Sequence, residues 1–470
     1  MKATEKNPPA GVLRALGLAG WDALERIVLA ALVTEGPLLL IGPHGSGKTM
    51  LLNRLAEALG LSHRHYNASI LSFDDLVGFP VPKDGGVAYL QTPATVWEAE
   101  SVLVDEISRC RPEVQNKLFP LVHERVVQGL PLPKLRFRWA AMNPPAPLEG
   151  PEDGKAPEYA GAEPLDVALA DRFAFVVHAP SLSELSPEDQ RLVLCAPPWK
   201  PEEARAIVAE ALEQARKALP EVERAEGPTA AEYALLVAGE LETAGHPLST
   251  RRAVQLSRNI LAVRAISRDG RRDDPEGDYL AALRSTMPDA AWGRRVPYAK
   301  LSAAHRSAWG AAGLEKGSPR RRLLTAKSPF TRMAIALEGS LPAAEATGAF
   351  VDAYVSLPVP QRLVAATVLM PTLSRRSDLP AAALEPVAND WAVLAAGRTV
   401  SVNVGPGTSW RRAVLSSELP RLDRKTERGR SLAAVATTLL CQEHEFRLPD
   451  LENAWARAVA ALRSGATEAA

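Results

Sequence analysis

The stretch Gly42-Pro43-His44-Gly45-Ser46-Gly47-Lys48-Thr49 packs three glycines, a lysine and two hydroxyls into one short run. Glycines there let backbone amides curl around phosphate oxygens with no Cβ in the way. Lys48 is then set to reach the β and γ phosphates of a nucleotide and Thr49 to hold magnesium, at the start of a helix whose free amides favour anions. Further along, the apolar run Ser101-Val102-Leu103-Val104 delivers Asp105 and Glu106. A carboxylate pair at the carboxyl end of a strand suits phosphoryl transfer, with Asp105 holding the metal through water and Glu106 polarising the attacking water.

Such groups need a rigid support, and the sequence supplies its signs. From about residue 20 to 180, short apolar runs alternate with helical patterns: "PLLLIG", "RHYNAS", "SVLVDE", "RWAAMN" and "AFVVHA" read as strands. That alternation is the mark of an α/β fold on a parallel sheet. The phosphate-binding pattern carries weight because a strand precedes it and a helix, "MLLNRLAEALG", follows it. Between the second strand and the acidic pair, "GFPVP", the turn "KDGG" and "VAYLQ" predict a hairpin, since Asp84-Gly85-Gly86 accepts the positive φ angles of a tight turn. Beyond Lys200 the texture becomes helical in three segments, with Thr229 and Ser249 as N-caps and Gly245 and Gly270 as stops.

The chain has 470 residues, too many for one ordinary core, with 55 basic and 55 acidic side chains. That balance removes the bulk electrostatic case for binding nucleic acid or an acidic membrane. Cys110, Cys195 and Cys441 are scattered and odd in number, which gives neither a disulfide framework nor zinc spacing and fits a reducing cytoplasm. The opening "MKATEKNPPAG" has no apolar signal core, and no run approaches the roughly 20 residues of a membrane span.

With both motifs placed, residues 15 to 265 resemble the AAA+ ATPases, and within them the MoxR-like group. The resemblance rests on "GPHGSGKT", on "DEISRCRPEVQNKLFPLVHERVV", on "AAMNPPAPLEG" and on "LADRFAFVV", in that order. It implies an αβα nucleotide-binding core over residues 1–195, a parallel five-stranded sheet, and a helical lid over 196–268. It also implies roles for further residues. Asn143 looks like the sensor that orients the attacking water. Arg172 looks like an arginine finger reaching a neighbour's nucleotide, and Arg251 or Arg252 like a second sensor touching the phosphates of its own subunit. The spacing from Ser249 favours Arg251.

The same resemblance implies ATP and Mg2+ as ligands, a homo-oligomeric ring, usually a hexamer, and a chaperone-like action on a protein client. The hairpin matches an insert that faces the pore or partner, where Phe79 and Tyr89 either grip the client or pack the hairpin on its own sheet. A partner with a von Willebrand factor A domain is common in the group; no "DxSxS" run occurs in this sequence, so if that partner exists it is expected to be a separate chain. Two other readings are a nucleic-acid motor, which needs DNA-stimulated turnover with steep salt dependence, and an assembly scaffold that binds ATP with little hydrolysis.

Residues 279–470, set off by the polar stretch "RDGRRDDPEGD", are mostly helical in pattern, with one strand-like run, "TVSVNV". The basic runs "SPRRRLL" and "LPRLDRKTERGR" carry interleaved acids and read as solvated helix faces. Trp292, Trp309, Trp391 and Trp410 read as core anchors, and the pairs His63/His65 and His305/His444 lack a further ligand at metal spacing. Because the region begins just beyond the lid, it is expected to recruit the client or partner. Its removal should spare ATP turnover and abolish partner binding, and the reverse result in a paired hydrolysis and binding assay rules this role out.

Overall fold

The computed structural model describes residues 11–83, 85–146, 162–195, 199–267, 274–294, 296–375, 381–396, 410 and 414–466. The chain divides into two compact units, residues 1–312 and 313–470. In chain order the first unit runs α1 (Val12–Ala15), α2 (Asp22–Val33), β1 (Leu38–Ile41), α3 (Lys48–Ala58), β2 (His63–Asn67), α4 (Phe73–Val77), β3 (Phe79–Lys83) and β4 (Gly86–Leu90). It continues with β5 (Ser101–Asp105), α5 (Pro112–Glu124), β6 (Val126–Val127), β7 (Leu130–Pro131), β8 (Phe137–Met142), α6 (Val167–Ala170), β9 (Phe175–His178) and α7 (Pro187–Leu194). The helices α8 (Pro201–Thr243), α9 (Thr250–Ser267), α10 (Pro275–Thr286) and α11 (Tyr298–Ala312) complete it.

The five apolar runs form one parallel sheet in the order β2-β5-β8-β1-β9. All of β1 and β8 and the first four residues of β5 are buried, as strands covered on both faces must be. Alternation then sorts the side chains. Leu38, Leu40, Leu103, Trp139, Phe175 and Val177 point to one face, against α2, α3 and the lid helices, while Leu39, Ile41, Val102, Val104, Met142 and Val176 point to the other, with residues of α4 and α5. The architecture is a five-stranded αβα core with a helical lid and a largely helical C-terminal region.

The hairpin β3–β4 forms where the turn chemistry places it, pairing Phe79 with Leu90 and Val81 with Ala88; Asp84 of its turn lies outside the described residues. Gly78 is required at its root: φ is +89°, and a Cβ there would lie 2.1 Å from the carbonyl oxygen of Leu90. The two aromatic candidates part company. Tyr89 is half-buried with its ring 6.2 Å from that of Trp97, whereas Phe79 is 56 % exposed, beside Leu90 at 56 %.

The lid departs from expectation. Residues 201–243 form one helix through Pro220 and Pro228, and Thr229 lies inside it instead of capping a new one. An interior proline costs about 3 kcal/mol, yet the buried stripe Ala204, Val208, Leu212, Ala215, Val222, Ala230, Tyr233, Val237 and Leu241 keeps helical phase across both prolines, so packing outweighs the break. Gly245 stops this helix at φ +83°, and Ser249 caps the next by accepting the Arg252 N–H at 3.1 Å. Gly270 lies outside the described residues.

The division between units also falls later than the polar stretch suggests, at 312–313 instead of near 270. The cause is packing: Tyr279, Ala282, Leu283, Leu301, Ala304 and Ala308 share one apolar cluster with α8 and α9. Asp278, 1 % exposed, is held between Arg26 of α2 at 2.5 Å and Arg264 of α9 at 3.0 Å, and accepts the Ser267 hydroxyl at 2.9 Å. Tyr233 donates to or accepts from His305 Nδ1 at 2.7 Å, and Trp309 stands edge-on to Tyr279 at 4.8 Å.

The second unit carries helices Pro319–Thr325, Pro329–Leu337, Ala343–Val355, Val359–Leu373, Ala381–Ala395, Glu427–Cys441 and Leu448–Ala466. They enclose a core that includes Phe330, Phe350, Tyr354, Leu369, Leu439 and Leu451. Trp410 packs edge-on against Phe446 at 6.0 Å, an anchor's place. The strand-like run "TVSVNV" lies outside the described residues. Among the described residues no helix is long and apolar enough to cross a membrane.

Candidate functional site

The carboxyl ends of β1, β5 and β8 converge on the loop between β1 and α3. Gly45 and Gly47 take φ of +73° and +92°, which only glycine adopts without strain. A Cβ on Gly45 would meet nothing within 4 Å, so the loop opens outward, whereas one on Gly42 would strike Ala179 at 2.7 Å. Ser46 Oγ donates to the Pro43 carbonyl at 2.8 Å and closes the turn, and His44 is exposed at its tip.

Lys48 is folded into this loop. Its Nζ donates to the carbonyls of Gly42 and Pro43 at 2.8 and 2.7 Å and lies 3.4 Å from Asn143 Oδ1. Burial lowers its pKa, against the opposing pull of Asp105 and Glu106. Asn143, 5 % exposed, follows directly on β8, so the sheet itself carries it to the lysine.

Thr49 Oγ1 donates to Asp105 Oδ2 at 2.8 Å. His65 Nε2, from β2, lies 3.4 Å from the same oxygen, and Asp105 Oδ1 accepts the Glu106 N–H at 2.9 Å. Burial works to raise the pKa of Asp105, but these hydrogen bonds outweigh it and hold the carboxyl below its ordinary value. A threonine hydroxyl and an ionised carboxylate side by side are the hard oxygen donors that magnesium takes, so these residues fit that ion. Glu106 adjoins them with Arg109 Nε 3.3 Å from its Oε2.

Lys48, Thr49, Asp105, Glu106 and Asn143 are thus brought together, as the motifs predict. The arginines are not. Arg172 donates from Nη1 to the Ala168 carbonyl at 2.6 Å and lies over the Phe119 ring at 4.6 Å. Arg251, expected at its own subunit's phosphates, is held instead by Asp171 Oδ2 at 2.7 Å. Burial and then the charges of Arg251 and Arg172 lower the pKa of His123 on α5, so both cations share one region of α5, α6 and α9. The physical reason is the pairing of Asp171, next to Arg172, with the first turn of α9.

The doubled arginine also resolves. Arg252, 1 % exposed, donates to the carbonyls of Ala170 and Phe173 at 2.6 Å each and of Thr286 at 2.9 Å. Burial pushes its pKa down to about 10, with Asp171 pulling the other way. Arg251 keeps a partly exposed guanidinium. Arg252→Leu is expected to destabilise the first unit by about 3–5 kcal/mol, because it strands buried carbonyls and removes a paired buried charge. Arg251→Ala should cost about 1 kcal/mol or less. Urea unfolding of both variants checks this, and equal losses would refute the distinction.

His65 and Arg109 escaped the sequence reading. The first needs the parallel register that sets Asn67 beside Asp105, which no local pattern reveals; the second stands three residues after Glu106 and was legible in principle. A groove of about 410 Å³ lined by Leu59, Phe137, Leu212 and Arg216 lies toward the opposite strand ends and has no part in the site.

Residues 37–138, from the start of β1 into β8, match the family model of the AAA domain, dynein-related subfamily. No curated protein matches the chain. Among solved structures, one described as a "putative ATPase" from Cytophaga hutchinsonii is similar at 24 % identity, over 54 % of this chain and 78 % of that one, with a TM-score of 0.35. That likeness is too distant to carry an argument. The phosphate loop, the acidic pair and the match over residues 37–138 together show that the chain carries an AAA+ ATPase domain.

Proposed function

We propose that the protein is a MoxR-like AAA+ ATPase that couples ATP binding and hydrolysis to the remodelling, maturation or activation of a partner protein. The convergence of Lys48, Thr49, Asp105, Glu106 and Asn143 at one edge of the sheet carries the reading. The loop from Gly42 to Gly47 and Lys48 cradle the phosphates of ATP. Thr49 and Asp105 hold magnesium, which when bound neutralises phosphate charge as it develops. Glu106 takes the proton of the attacking water, and Asn143 orients that water.

Arg172, held on the Ala168 carbonyl and the Phe119 ring, serves a neighbouring copy, which makes a ring the working form. Arg251, paired beside it, acts from the same face. The exposed apolar side of the hairpin, Phe79 with Leu90, is the surface offered to the client. A separate von Willebrand factor A domain protein fits the partner's place.

Phosphate release from ATP by the full chain, measured with its mass with and without nucleotide, tests the reading. Turnover with ATP-dependent assembly is the expected result. Assembly without phosphate release favours a scaffold, and turnover stimulated by DNA with a steep salt dependence favours a nucleic-acid motor.

A further inference from the structure

Glu106 sits at φ 56° and ψ 36°, a left-handed conformation that a non-glycine residue keeps only where its surroundings hold it. Its N–H is bound by Asp105 Oδ1 at 2.9 Å, and its carbonyl accepts the Arg109 N–H at 2.8 Å. The second bond closes the 3₁₀ turn Ile107–Arg109. Residues three apart eclipse in such a turn, so the side chain of Arg109 returns over that of Glu106. The result is the 3.3 Å approach of Arg109 Nε to Glu106 Oε2. That oxygen is buried and has no hydrogen-bond partner of good geometry, so the guanidinium charge is what restrains it.

Lys48, whose charge is felt by Glu106, does not take this task, because its Nζ is committed to the carbonyls of Gly42 and Pro43. Without a restraint the glutamate side chain swings, and a misplacement of about 1 Å at a reacting group costs on the order of 10²-fold in rate.

We propose that Arg109 is a positioning residue for Glu106, holding one carboxylate oxygen so that the other meets the attacking water. The inference rests on the hydrolytic reading of this site. Arg109 acts through Glu106.

The test compares full-length wild type, Arg109→Gln and Arg109→Lys for steady-state ATP hydrolysis and, by calorimetry, for ATP binding. Arg109→Gln should lower kcat by about 10- to 10²-fold while leaving KM and ATP affinity within about twofold. Arg109→Lys should recover part of the rate, since it keeps the charge but not the planar fork. In the Glu106→Gln background, Arg109→Gln should change the residual rate by less than about twofold, because a residue acting through Glu106 has nothing left to position. An unchanged or faster kcat, a full further loss in that background, or a loss of ATP binding overturns the proposal while the hydrolytic reading stands. No turnover by the wild type overturns that reading, and this proposal with it.

Discussion

Arg172→Ala should hydrolyse ATP about 10³- to 10⁵-fold more slowly than wild type while binding ATP equally well, the range lost when an arginine that stabilises transition-state charge is removed. The basis is placement: the guanidinium lies on Phe119 and the Ala168 carbonyl, not among Lys48, Thr49 and Asp105. In the proposed ring, an arginine placed there completes the site of another copy. Mixing Arg172→Ala with Glu106→Gln separates the cases. Each variant is inactive alone, but a subunit with intact Glu106 next to one with intact Arg172 forms a complete site, and random assortment gives about a quarter of sites that form. Recovery of phosphate release on mixing is the expected result. An inactive mixture, or an Arg172→Ala protein that hydrolyses normally, removes Arg172 from the reaction.

Glu106→Gln should lower kcat by about 10²- to 10⁴-fold, the range for loss of a general base. The change is nearly isosteric and leaves the Glu106 backbone N–H with Asp105, so the loop and the donors of Thr49 and Asp105 keep their places. ATP affinity and ATP-dependent assembly should survive. Single-turnover phosphate release and the mass of the nucleotide-bound species measure both, and retained hydrolysis would mean that another group accepts the proton. If the variant assembles and does not turn over, it becomes the trap for identifying a client.

The sheet and the phosphate site were legible because their signals are local. Leu38 to Ile41 are wholly apolar, as a strand buried on both faces must be, and glycines at positive φ stand where the loop needs them. The hairpin was legible from its turn for the same reason. What the residues could not reveal depends on distant partners. Whether Arg251 or Arg252 is buried is decided by the carbonyls of Ala170, Phe173 and Thr286, which no spacing near Ser249 encodes. Thr229 read as the cap of a second lid helix because capping is a local signal, while the packing that carries one helix through Pro220 and Pro228 comes from α9 and α11. The late end of the first unit follows in the same way from apolar side chains of α10 and α11 that fit the lid.

One buried carboxylate limits how the lid can move. Asp278 binds Arg26 on the core side and Arg264 on the lid side, so any displacement that parts the two breaks a largely buried ion pair, which is unfavourable when one partner stays buried. Rotation about that point keeps both ion pairs; separation breaks one of them. The joint is therefore suited to act as a pivot and not a latch, because turning the lid helices as one body is the movement that both ion pairs permit.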